Sequence, residues 1–293
     1  MTRSDVTERR GSVSKGLVIF HGECWDRHCA AWLIHHFSGL DLDYHPAQYG
    51  EPPPDVTGRD VWVLDFSYPR ATLEEMHRSA KNLVCLDHHR TAQADLEGLP
   101  YCTFDMDLSG AQLTWRWLLE HGQVPLVVKI GGRGGPAMDV PMPDPWLVDY
   151  TADRDLWRWA LPDSKEVNAA LRSYPLDFAE WDRLSDEESP ETMKRDGAAI
   201  LRAEEVTIQT HLDRAREVEF DGYRVLSVNA TSLFSEIAGR LAEGRPFGMC
   251  WFERDGVRQY SLRSREGGID VSEIAKAHGG GGHRAAAGFE QAL

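Results

Sequence analysis

Cysteine is scarce in this chain of 293 residues, with five in all, at Cys24, Cys29, Cys85, Cys102 and Cys250. The count is odd and the spacing forms no framework, which excludes a disulfide-built secreted scaffold and points to reduced thiols in the cytoplasm. Cys24 and Cys29 lack a second Cys pair, which argues against a structural zinc site. Cys85, inside an apolar run, reads as small core filler. Positive charge is also short. There are 32 Lys and Arg against 47 Asp and Glu, for a net charge of −15. That balance argues against long duplex DNA as a partner, which needs a basic footprint. A short phosphorylated substrate stays compatible, because bound cations and a few arginines reverse the local field. No apolar run approaches the length of a membrane-spanning helix, so no membrane partner is expected. Residues 1–15 are polar and carry no apolar stretch of the signal-peptide kind, so they read as a flexible tail. There is no long internal repeat. What is present, 42% hydrophobic and 27% charged residues, is ordinary for a globular protein long enough for two domains.

Three short apolar runs carry the chemistry. Leu17-Val18-Ile19-Phe20 leads into His21, with Asp26 shortly after; Val61-Trp62-Val63-Leu64 leads into Asp65; Leu83-Val84-Cys85-Leu86 leads into Asp87, His88 and His89. Runs of this kind read as strands buried on both faces of a parallel sheet. Ligands of such sheets bind outside the carboxyl ends of the strands. Helices are expected at residues 30–37, 70–80 and 109–120, the last entered through Ser109-Gly110. Strand and helix alternate to about Ser185, which implies an α/β fold with a mostly parallel sheet. Residues 130–145 read as a Gly/Pro-rich surface insertion, with a phosphate-approaching lid as the alternative. Residues 191–218 read as one long, mostly polar connecting helix. Beyond it, strands at 223–229, 248–252 and 259–264 and helices at 235–241 and 271–277 make a smaller α/β domain.

The expected domains are a tail at 1–15, a metal-binding domain at 16–186, a linker helix at 187–218 and a substrate-binding domain at 219–293. Asp and His suit Mn²⁺, and Asp suits Mg²⁺. Two ions about 3.5–4 Å apart, bridged by a carboxylate, clamp the attacking and leaving oxygens of a phosphoryl displacement. His21, Asp26, Asp65, His88 and Asp153 form a suitable ligand set, with Asp65 placed to bridge. Taken singly, His21 is an ordinary loop histidine and Asp65 an ordinary turn or cap residue. Their joint appearance at three strand ends is hard to obtain from packing alone.

A second cluster is His278-Gly279-Gly280-Gly281-Gly282-His283-Arg284, followed by three alanines. Its glycines could present backbone N–H groups to an anion beside a helix start, and Arg284 could fork onto a phosphate. A flexible linker would not carry such His, Arg and Ala neighbours. Arg263 and Ser264 are a further phosphate contact or a solvated strand edge.

These motifs together resemble the DHH phosphoesterase superfamily with its C-terminal DHH-associated domain, over nearly the whole chain after Lys15. That superfamily includes RecJ-type exonucleases, nanoRNase/pAp phosphatases, family II pyrophosphatases and exopolyphosphatases. The resemblance rests on Asp87-His88-His89 and on Gly279 to His283. It implies metal binding at Asp65 in Val-Leu-Asp-Phe-Ser, and a fourth acid at Asp153, with Asp155 as the alternative. It also implies that Gly280, Gly281, Gly282, His283 and Arg284 face substrate. The first motif departs from the family pattern. Asp26 matches, Arg27 stands where glycine is expected, and the second ligand is either Cys24 or His28. Cys or His there favours Mn²⁺ or Zn²⁺ over Mg²⁺. Glu23 reads as a solvated loop acid. Trp25 reads as packing at the mouth of the site, with stacking on a base as the alternative.

The expectation is a cytoplasmic phosphohydrolase with two Mn²⁺ ions and its active site in an interdomain cleft. His88, His89 and Asp65 would be catalytic, and Asp87 is a further candidate ligand. The expected substrate is a short oligonucleotide, a linear dinucleotide or a nucleoside bisphosphate of the pAp kind, so that oligoribonuclease or exonuclease activity is expected. The alternatives are a polyphosphate or pyrophosphate hydrolase, and a nucleotide-binding protein with lost turnover. A homodimer stays open.

Overall fold

The computed structural model of the chain describes residues 15–22, 25–48, 50–130, 138–265 and 267–293. The expected tail, apart from Lys15, lies outside the described residues, as do Glu23 and Cys24. The chain runs β1 (Gly16–His21), α1 (Trp25–Ser38), β2 (Leu42–Ala47), β3 (Asp60–Leu64), α2 (Arg70–Ser79), β4 (Asn82–Asp87), α3 (Arg90–Leu96), β5 (Cys102–Phe104), α4 (Gly110–Glu120), β6 (Val127–Ile130) and β7 (Met138–Pro141). Four helices follow: α5 (Trp146–Asp155), α6 (Ser164–Leu171), α7 (Phe178–Glu187) and α8 (Pro190–Leu212). The rest is β8 (Arg216–Phe220), β9 (Tyr223–Asn229), α9 (Phe234–Leu241), β10 (Gly248–Arg254), β11 (Val257–Arg263), α10 (Val271–Ala277), β12 (Gly281–His283) and β13 (Ala286–Ala292). These elements form two compact units. The first takes the described residues up to Asp87 together with Gly98–Asp144; the second takes His88–Glu97 together with Pro145–Leu293.

The first unit holds the expected parallel sheet, in the order β2-β1-β3-β4-β5. Val18, Ile19, Val63, Leu64, Cys85 and Leu86 are buried in its central strands, as runs apolar on both faces require. Helix α1 lays Cys29 through Ile34 into the core. It starts at Trp25 rather than at Ala30, so Asp26, Arg27 and His28 are helical and not loop residues. Helix α4 packs on α1. Its start is fixed by a capping box, in which the Ser109 hydroxyl accepts from the Gln112 N–H and the Gln112 side chain accepts from the Ser109 N–H.

Strand β2 was not expected, because Asp43 and Pro46 interrupt any apolar run there. Both are tolerated because β2 is an edge strand, paired only with β1 in this sheet. The expected insertion at 130–145 holds a strand, β7, and follows another, β6. β6 and β7 pair antiparallel as a two-stranded sheet, and residues 131–137 lie outside the described residues.

In the second unit the expected alternation fails. α5 to α8 succeed one another with no strand between them. Helix α8 begins in a second capping box, between Ser189 and Thr192. It packs against α6 at Gly197, where an added Cβ would stand 1.7 Å from the Glu166 carbonyl oxygen. It ends at Leu212 and not at Val218. Arg216-Glu-Val-Glu-Phe220 alternates with period two and forms β8, antiparallel to β9.

The sheet of this unit has the order β12-β13-β11-β10-β9-β8. Only β9 and β10 pair in parallel; the other pairs are antiparallel. Met249 and Phe289 pack with Val271 and Ile274 of α10. Cys250 and Val228 pack with Ile237 and Leu241 of α9 and with Ile208 of α8. Neighbouring residues on a strand thus serve opposite faces. Among the described residues, no helix is long and apolar enough to cross a membrane.

Candidate functional site

Phe20 pairs in register with Leu64, and Leu64 with Leu86. His21, Asp65 and Asp87 therefore leave the parallel sheet at one edge, as the sequence implied. Asp65 takes a left-handed backbone with φ of 48°. Its N–H donates to the Leu86 carbonyl at 2.8 Å, which ties the turn after β3 to the end of β4. Asp26, in the first turn of α1, accepts at Oδ2 from the Ala111 N–H of α4 at 3.1 Å. The positive end of α4 thus points at this carboxylate. Gly110 makes the approach feasible, since a Cβ there would lie 2.2 Å from Asp65 Cβ and 3.0 Å from Asp26 Oδ2.

Asp26, Asp65 and Asp87 are each only 1% exposed. Ligand-capable oxygens of Asp26 and Asp65 lie within 4.8 Å of one another, and so do those of Asp65 and Asp87. Burying three acids this close is costly without positive charge. Arg27 supplies one charge: its Nε donates to Asp65 Oδ2 at 3.1 Å and to the Asp65 carbonyl at 3.0 Å. Carboxylate oxygens with residual negative charge fit a hard divalent cation such as Mg²⁺ or Mn²⁺.

His21 is an expected ligand and His28 a possible one. His21 lies at the end of β1 with its ring 6.2 Å from that of Phe66. His28 is buried in α1 with its ring edge-on to Phe20 at 6.4 Å. Neither belongs to a ligand-capable group among the described residues.

The second unit carries imidazoles. Ligand-capable nitrogens of His88, His89 and His283 lie within 4.8 Å of one another. The His89 and His283 rings stack at 4.8 Å. His88 Nε2 lies 3.5 Å from Asp155 Oδ2. The expected acid, Asp153, accepts at its two oxygens from the N–H groups of Ala160 at 2.9 Å and Leu161 at 3.3 Å. It anchors the turn after α5, and Asp155 is the acid beside His88.

The glycine cluster also differs from expectation. The alanines after Arg284 run into β13, not into a helix, so no helix start faces an anion there. Its glycines answer to a close approach of β13. A Cβ at Gly280 would stand 2.1 Å from the Gly288 carbonyl oxygen, and one at Gly282 would stand 2.6 Å from that of Ala286. Gly281 has open space at the same position.

Arg284 is exposed, donating to the Gly268 carbonyl at 2.8 Å and to Asp270. Arg263 is not a solvated strand-edge charge. It donates to Ser235 Oγ at 2.8 Å and to its neighbour Leu262's carbonyl. Burial pulls its guanidinium below the usual range, while Glu236 acts the other way. The Ser264 N–H donates to the Ala285 carbonyl.

Two residues beside these clusters carry little signal in the sequence. Gly110 was taken only as part of a helix start, although Gly directly after a Ser cap is a signal of tight approach. Asp155 was ranked behind Asp153, and nothing in their spacing separates them.

No protein-family model matches the chain. It is 26% identical over 300 residues to an uncharacterized protein of Acanthamoeba polyphaga mimivirus, covering 93% of this chain and 66% of that protein. The chain thus spans just under two thirds of that relative's length. Among solved structures it resembles an exopolyphosphatase-related protein from Bacteroides fragilis, with a TM-score of 0.53, 14% identity and coverage of 94% of this chain and 86% of that one. It also resembles the pGpG-specific phosphodiesterase PggH from Vibrio cholerae, with a TM-score of 0.51, 14% identity and coverage of 96% and 94%. The chain therefore shares the α/β fold of these two proteins, in line with the fold its motifs implied.

Proposed function

We propose that the chain is a divalent-metal-dependent phosphohydrolase that cleaves phosphodiester or phosphomonoester bonds in short oligonucleotides or small nucleotides. The observation that carries this reading is the convergence of Asp26, Asp65 and Asp87, all buried, at one edge of a parallel sheet. The fold supports it, as does a neighbour named as acting on pGpG. The net charge of −15 favours a short substrate over a long polyanion.

A divalent ion held by Asp26, Asp65 and Asp87 would supply Lewis-acid polarisation of the phosphoryl group and a more acidic water. The chain's own residues do the rest. The α4 amide holds the Asp26 carboxylate in place, and Arg27 offsets charge on Asp65. Asp155 orients the His88 imidazole. His89 serves as the proton donor to the leaving oxygen, and His283, stacked on it, and Arg284 contact a substrate phosphate. Mn²⁺ as the working ion, a cytoplasmic location and a substrate-binding role for 219–293 belong to the same proposal.

A binding protein with reduced turnover is the second reading, favoured by the guanidinium on Asp65. A neighbour named as exopolyphosphatase-related keeps polyphosphate among the substrates to test. The test is a panel of a trinucleotide, a linear dinucleotide, a nucleoside bisphosphate and polyphosphate, each with Mn²⁺, Mg²⁺ and Zn²⁺. Turnover of the first three with Mn²⁺ is expected, with loss of at least about 10²–10³-fold in Asp65→Asn and His88→Ala. Full turnover in either folded variant would overturn the assignment.

A further inference from the structure

The three buried acids of the first unit fit a divalent ion, but Arg27 changes how many. A dinuclear centre needs a carboxylate that gives oxygens to both ions. Asp65 is the acid in range of both Asp26 and Asp87, so that role falls to it. Its Oδ2 already receives the Arg27 Nε–H at 3.1 Å, and the same Nε–H reaches the Asp65 carbonyl at 3.0 Å. The Arg27 side chain is 14% exposed and that of Asp65 2%. This is a buried, charge-assisted contact and not a surface ion pair, whose worth would be close to nothing. Arg27 lies on α1 next to Asp26, so the helix that delivers one acid also delivers the cation. The guanidinium keeps its charge at any working pH.

We propose that the Arg27 guanidinium takes the place of a second divalent cation at Asp65, so that the chain binds one such ion where the two-ion chemistry expected from sequence would need two. The inference rests on the metal-dependent reading above. A fixed organic cation neutralises part of the charge of Asp26, Asp65 and Asp87, and it competes for the oxygen a bridging carboxylate must share. Its neutralisation is permanent, whereas a second ion would come and go with metal concentration.

The test is metal stoichiometry, read without substrate. Mn²⁺ is titrated into chelator-stripped protein by calorimetry, and bound Mn²⁺ is counted after gel filtration. Electron paramagnetic resonance separates isolated Mn²⁺ from a coupled pair. The proposal expects one ion per chain with an uncoupled spectrum, and two ions with a coupled spectrum in Arg27→Gly. Arg27→Gln is run beside it, because glycine inside α1 weakens the helix while Gln removes the charge and keeps the helix.

Two ions in the unchanged protein overturn the inference and leave the phosphohydrolase reading standing. One ion in both the unchanged protein and the folded Arg27 variants also overturns it, since Arg27 would not set the count. No bound ion in the unchanged protein overturns the metal-dependent reading and the inference with it.

Discussion

Gly110→Ala is the smallest change that probes the carboxylate cluster, because it adds one methyl group and replaces no ligand. The added carbon would lie 2.2 Å from Asp65 Cβ, 2.6 Å from Asp65 Cγ and 3.0 Å from Asp26 Oδ2. Non-bonded carbons rest at about 3.5–4.0 Å, so the Asp65 side chain or the start of α4 must move by more than about 1 Å. The start of α4 is held by the Ser109 capping box, and the Asp65 backbone by its bond to Leu86. Neither gives way cheaply. Overpacking of this kind costs about 1–3 kcal/mol, against which alanine gains up to about 1 kcal/mol of helix propensity. Net stability should therefore fall by no more than about 3 kcal/mol, and the protein should stay folded. Function should suffer more, because a misplacement of about 1 Å at a reacting centre can cost 10²-fold. Urea unfolding, Mn²⁺ affinity and turnover on the best substrate are the three measurements. If Gly110→Ala were more stable than the parent and bound Mn²⁺ equally well, the cluster would not be the metal site.

Three further expectations follow from other parts of the molecule. Gly197→Ala places a Cβ 1.7 Å from the Glu166 carbonyl oxygen, and backbone cannot yield as a side chain can. A loss of about 1–3 kcal/mol or more in urea unfolding is expected, and an unchanged midpoint would contradict the α6–α8 packing. Burial pushes the Tyr68 phenol up to about 12, against about 10 in an unfolded chain. Because the folded value is the higher one, its contribution is complete below pH about 10 and is lost as pH rises through about 12. Tyr68→Phe should make the alkaline fall in the urea midpoint shallower, and an unaltered slope would count against it. Chelation should lower stability by about 2.7 kcal/mol relative to protein held at a hundredfold excess of Mn²⁺ over its dissociation constant. Asp65→Asn should not respond to the chelator, and equal responses would place the ion elsewhere.

The sheet edge was legible because β1, β3 and β4 are apolar on both faces and end abruptly in ligand-type residues. Periodicity finds such strands, and their carboxyl ends locate the candidate site. Strand β2 was not legible. A strand holding Asp43 and Pro46 is stable only at an edge, and edge position is decided by the rest of the sheet. The same holds for β8, whose polar alternation continues the composition of α8.

The choice between Asp153 and Asp155 turned on the backbone after α5. Trp157 and Trp159 both take positive φ there, which folds the chain back so that Ala160 and Leu161 reach Asp153. Local sequence offers no cue for two left-handed tryptophans. By sequence alone the glycines at 280 and 282 suggest an anion cradle. They make room for β13, a contact between segments whose pairing becomes visible only once the sheet is formed. Arg27 was noticed as a departure from pattern, but its partner Asp65 lies 38 residues away in sequence and no spacing rule connects them.

The left-handed turn at Asp65, with φ of 48°, restricts what genetic change can do at that codon. Asn and Gly adopt this backbone readily but surrender the negative charge. Glu keeps the charge, yet it must hold an uncongenial conformation and extends its carboxylate by a methylene into a space already crowded by Gly110. Every single replacement thus fails on conformation, on charge or on reach. Drift at position 65 has no neutral route, and a homologous chain that carries another residue there should also have rebuilt the turn around it.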